Sequence, residues 1–135
     1  MNMLRSSLLA MALTFGMMGL SGSVDAGAAV WSPVVEKIVK ALNEGDALYR
    51  AGEADKGAKT IQEVYFSVME AEKLEDALKK NMGPEHAEEV EDSFGDIRKA
   101  MKENAKPEEI SAMVKTLSDT LLEDGKKLDA AGVAK

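Results

Sequence analysis

Apolar residues in this chain recur at steps of three and four. Val34, Val35, Ile38, Ala41, Leu42, Gly45 and Tyr49 share one helical face. Ala58, Ile61, Val64, Tyr65 and Val68 form a second such line, with Met69 beside it. Ala87, Val90, Phe94, Ile97 and Met101 form a third, and Ile110, Met113, Val114, Leu117, Leu121 and Leu128 a fourth. This spacing marks amphipathic helices; a half-buried strand needs strict alternation, which no segment has. The punctuation agrees. Ser32-Pro33, Gly83-Pro84 and Lys106-Pro107 each place proline at a helix start, where its missing N–H is no loss. Ser32 is a natural cap for the first helix. Gly52 is suited to the left-handed residue that ends it.

Four main helices are predicted: Val30–Ala51, Glu53–Glu70, Pro84–Asn104 and Pro107–Ala130. Short connections between them give an all-α, antiparallel four-helix bundle. Ala41 and Gly45 sit mid-face on the first helix, where small residues admit a close neighbour. The second helix should be kinked or interrupted. If it ran on, Glu72 would fall inside its apolar face, and Leu74, Ala77 and Leu78 would lie on another side. A break at Ala71–Lys73 and a short helix to Asn81 resolve that conflict. The tail after Ala130 is expected to fray.

The N-terminus has a different character. Arg5 precedes an apolar run from Leu8 to Leu20, and small residues follow up to Val24-Asp25-Ala26. That order is expected of a secretory signal over residues 1–26, leaving one helical-bundle domain over 27–135. The run is shorter than the about 20 residues a spanning helix needs. No stable membrane span is expected after cleavage, and the product would be periplasmic or secreted. The chain has no cysteine, so no disulfide or Cys-ligated metal supports the fold. Its net charge of −7 argues against nucleic acid and anionic membranes as partners.

Chemistry-bearing residues are sparse. His86 is the only histidine, and Glu89 stands three residues later. The pair is a weak candidate for a shared metal, and its His-x-x-Glu order is similar, over these few residues, to the metal motif of imelysin-like periplasmic proteins. A solvated His in a first turn is the other reading. Glu91 and Arg98 flank the apolar line on either side of Phe94. Tyr49 and Tyr65 point inward, and buried hydroxyls need partners. A polar cluster of Tyr49, Tyr65, Glu91 and Arg98 is therefore expected, either as a ligand or partner site or as a network fixing helix register. Asp46, Glu63, Glu70 and Glu75 are candidates for an outward acidic patch. With one His, no Cys and no phosphate-binding glycine loop, a non-enzyme is expected.

Glu44-Gly45-Asp46-Ala47-Leu48-Tyr49, Gly52, Val64-Tyr65-Phe66, Glu70, Leu74-Glu75, Val90-Glu91, Phe94 and Ile97-Arg98 together resemble the extracytoplasmic helical region of bacterial high-affinity iron permeases. The membrane helices of that family, with their Arg-Glu-Gly-Leu-Glu motif, have no counterpart here; Glu72-Lys73-Leu74-Glu75 lacks the Arg and the Gly. The resemblance implies a free-standing accessory or binding protein for iron or another divalent cation, working with a membrane iron-transport component. The alternative is a structural or protein-interaction bundle with no small ligand.

Overall fold

The first helix, α1, spans Ser32–Arg50 and carries Pro33 in its first turn. α2 follows over Ala54–Val64 and runs into a π-helical turn, Tyr65–Glu70. α3 is Leu74–Met82, α4 is Pro84–Lys102 and α5 is Pro107–Ala130. This computed structural model describes residues 29–135, so the signal segment over residues 1–26 lies outside the described residues. Among the described residues there is no strand, and no helix is long and apolar enough to cross a membrane.

Each predicted line of apolar residues is buried along most of its length, with Ala41, Tyr65, Val68 and Met113 half-buried. Val35, Ile38 and Leu42 of α1, Ile61 of α2, Leu78 of α3, Met101 of α4 and Leu121 of α5 are fully covered. α1 rests on α2 and α5, and α4 rests on α2, α3 and α5. Ser32 at the start of α1 meets Asp129 at the end of α5, while Arg50 at the other end of α1 meets Ser111. These two helices are therefore antiparallel. Full burial of a Leu or Ile is worth about 1.5–3 kcal/mol, so these lines are the main source of stability.

Gly45 and Gly57 form the closest approach of α1 and α2. A Cβ added at Gly57 would lie 2.9 Å from the Gly45 carbonyl oxygen. One added at Gly45 would lie 2.7 Å from Ile61 Cδ1. The small residue expected on the α1 face is thus met by a second one on α2.

The second helix is interrupted in two stages, the first of which the sequence reading lacks. The π turn inserts a residue. Val64 is then followed on the inner face by Met69, five residues on, and Val68 is left only half-buried. A turn at Ala71–Lys73 comes next, where Lys73 takes a left-handed φ of 63°. The break expected there is present. It moves Glu72 out of the core to the surface side, where it accepts bonds from Lys135 at 2.6 Å and Lys37 at 3.2 Å.

The tail expected to fray is tied to the start of α1. Trp31 is the α1 N-cap residue and makes no side-chain cap. Asp129 of α5 performs that task. Its carboxylate accepts from the backbone N–H of Val30 (3.0 Å), Trp31 (2.8 Å) and Ser32 (2.9 Å), and from Ser32 Oγ (2.6 Å). Ser32 is thus a donor to the cap and not the cap itself. The Trp31 indole N–H donates to the Val133 carbonyl at 2.8 Å, which holds the tail.

Burial alone would push the Asp129 carboxyl up, but the Ser32 hydroxyl and the three backbone N–H groups outweigh it and hold it below the usual range. A depressed native pKa stabilises the fold above the unfolded value of about 3.9. That contribution is lost as pH falls through the native value. Acid titration of stability should show this loss in the native protein, and Asp129→Asn should reduce the slope below about pH 4.

Candidate functional site

Tyr65 is the first residue of the π turn, and its ring lies edge-on to Phe94 of α4 at 5.3 Å. Its hydroxyl donates to Glu75 Oε2 at 3.1 Å. The π turn and the Ala71–Lys73 turn together fold Glu75 of α3 back onto Tyr65; an unbroken helix would carry the two apart. Burial and then the Glu75 bond push the Tyr65 phenol well above its ordinary value, and the charges of Glu75, Glu91 and Glu70 add to the shift. The phenol therefore stays protonated at neutral pH and remains a donor. Tyr65 thus feels the charges of three carboxylates: Glu70 of the π turn, Glu75 of α3 and Glu91 of α4.

The expected four-residue cluster does not form as one network. Glu91 lies near Tyr65 and is exposed. Tyr49 lies at the opposite end of α2, where its hydroxyl donates to the carbonyl of Ala105 in the α4–α5 connection. Arg98 stands seven residues, or two helical turns, beyond Glu91. It is half-buried, its Nε is covered without an acceptor, and it makes no ion pair among the described residues. Tyr49 and Tyr65 line the inward faces of two different helices, and Glu91 and Arg98 flank that of a third. Position along the helix axis separates them.

His86 is not simply solvated. Its Nε2 lies 2.7 Å from Asp124 Oδ2, joining the first turn of α4 to α5. The Asp124 side chain is 4% exposed and the His86 ring 28%. Glu89 is exposed, and its side chain makes no hydrogen bond or ion pair among the described residues; the contact of His86 is with Asp124. The sequence reading missed Asp124, yet a signal existed. Leu117, Leu121, Asp124 and Leu128 are spaced four, three and four, which places a carboxylate within an apolar line. A buried carboxylate requires a partner, and the only histidine supplies it.

The expected acidic patch is likewise divided. Asp46 accepts from Ser111 Oγ at 2.9 Å, and Arg50 Nε donates to the same Ser111 oxygen at 2.9 Å. Glu63 pairs with Lys59 at 3.7 Å. Glu70 and Glu75 remain near Tyr65. Among the described residues, no three His, Cys, Asp or Glu side chains are grouped to hold a metal ion.

No protein-family model, curated protein or solved structure matches this chain.

Proposed function

We propose that this protein is a non-catalytic, exported accessory protein that binds iron or another divalent cation for a membrane transport component. One observation carries this reading. Tyr65, Glu70, Glu75 and Glu91 all belong to the pattern that resembles the iron-permease accessory region, and the three carboxylates each lie near enough to Tyr65 for their charges to raise its phenol pKa. Oxygen donors of this kind suit hard cations. The cation is cargo, held at an open surface rather than in a closed cage, which fits a protein that must pass it on.

Thermal unfolding of the metal-free protein, with and without Fe(II), Fe(III), Cu(II), Zn(II) and Mn(II), tests the proposal. A cation that binds only the folded state at a hundred times its Kd adds about 2.7 kcal/mol, which raises Tm by several degrees. The expected result is a saturable rise with iron that is lost in Glu75→Gln combined with Glu91→Gln. His86→Ala should keep the ion-dependent rise, because His86 lies on the α4–α5 seam. Absence of a shift with every ion overturns the cation reading.

A further inference from the structure

Arg98 is a charged group that the folded chain leaves unanswered. Its Nε is fully covered and meets no acceptor among the described residues. A covered charged donor without a bond costs about 1–3 kcal/mol or more, so native structures nearly always supply an acceptor from protein, water or ligand. Arg98 lines an open groove with Gly95, Lys99, Lys102 and Glu103, along and just beyond the last two turns of α4.

Lysines near the negative end of a helix are ordinary. Arg98 and Lys102, however, stand four residues apart, a spacing at which like charges repel across one helix face. The positions three and four residues away from Arg98 and from Lys102 hold no carboxylate. Neither these two nor Lys99 makes an ion pair among the described residues, although Asp and Glu outnumber Lys and Arg by 24 to 17. The helix end does not use them either. The carbonyls of Lys99, Ala100 and Met101 already accept from the N–H of Glu103, Ala105 and Asn104. Lys102 also borders the α1–α2 connection, where Glu53 is paired with Lys56 and Asp55 makes no ion pair with Lys102. Glu103 is the one carboxylate lining the groove, which therefore keeps an excess of positive charge. Gly95 leaves space beside it, since an added Cβ there meets nothing within 4 Å.

We propose that this groove binds a phosphate group, with the Arg98 fork as the directional donor and Lys99 and Lys102 as point charges. A phosphate group carries about −1.5 to −2 charge near pH 7, on oxygens that can take paired N–H bonds from the fork. The three cations are rooted within about 6 Å along the helix axis, close enough to converge on one compact anion. The site needs no metal, so it stands or falls separately from the cation reading.

Titration of the isotope-labelled protein with inorganic phosphate is the test, read at the Arg98 Nε–H resonance and the backbone amides of Gly95–Glu103. Both should shift saturably, and sodium chloride at equal ionic strength should move them little. Arg98→Lys keeps the charge but loses the fork, and should weaken binding about tenfold. Gly95→Glu places a tethered carboxylate three residues before Arg98 and four before Lys99, and should abolish the response. Its side chain starts in open space, so this variant should keep the native helical spectrum and gives a test that does not depend on how Arg98→Lys folds. Lys115→Ala on α5 should change the affinity less than about twofold. Vesicles containing phosphatidic acid distinguish a lipid-borne phosphate from a free one. An unmoved Arg98 resonance overturns the proposal, as do equal shifts with chloride or undiminished binding in Gly95→Glu. A response to the vesicles without one to free phosphate overturns it too.

Discussion

Trp31→Ala is expected to lower the unfolding free energy by about 3–5 kcal/mol, the range for removing a large aromatic side chain from a core. Trp31 is 1% exposed although it precedes the first helical turn. Its indole N–H is bonded to Val133, and its backbone N–H to Asp129. The truncation therefore opens a cavity and frees the tail in one step. For a domain of this size the Tm should fall by more than about 10 °C. Trp31→Phe retains much of the ring but removes the indole donor. It should recover most of the loss while leaving the Val133 carbonyl without that partner, a deficit of about 0.5–1.5 kcal/mol. Denaturant unfolding followed by far-ultraviolet circular dichroism measures both variants without relying on the indole signal. A loss below about 1 kcal/mol for Trp31→Ala would show that the contact between the start of α1 and the tail does not support the core.

Gly57→Ala should destabilise the protein by about 1–3 kcal/mol, even though alanine is the better helix former by about 1 kcal/mol. The reason is the approach of α1. The new Cβ would meet the Gly45 carbonyl oxygen at 2.9 Å and Met101 Sδ at 3.4 Å. The Met101 side chain can move aside. The carbonyl belongs to the α1 backbone, so the helix itself must shift, and the packing of Leu42 and Tyr49 shifts with it. Gly95 supplies the comparison. It lies within α4, and an added Cβ there meets nothing within 4 Å. Gly95→Ala should therefore stabilise by about 0.5–1 kcal/mol. Opposite signs for the same chemical change would isolate the helix–helix contact. A stabilised Gly57→Ala would mean that α1 and α2 can separate slightly at no cost.

Glu72 and Asp124 show where a sequence argument reaches and where it stops. Both are carboxylates that fall within apolar lines. For Glu72 the conflict is local, because the residues on both sides change face, and a break in the helix resolves it. For Asp124 the helix continues unbroken and the partner comes from α4, 38 residues earlier. The π turn was hidden for a related reason. Val68 and Met69 are adjacent apolar residues; Val68 continues the α-helical line from Val64, and Met69 does so only through a π turn. Which one enters the core depends on the helix packed opposite.

The all-helical class, the break after Glu70, the close approach at Gly45 and the inward-facing residues were determined by the sequence itself. They follow from periodicity, from the backbone limits of proline and glycine, and from the cost of burying a lone charge, all of which act within a few residues along the chain. The tertiary structure alone decided the pairing of charged and hydroxyl groups. It placed Glu75 on Tyr65, His86 on Asp124 and Asp129 on the start of α1, and it set Tyr49 and Arg98 apart from Tyr65. A hydrogen bond forms over about 3 Å, whereas residues on one helical line are spread along tens of ångströms of helix axis. Sharing a face is therefore not enough to bring two groups together; the crossing and offset of the helices determine which of them meet.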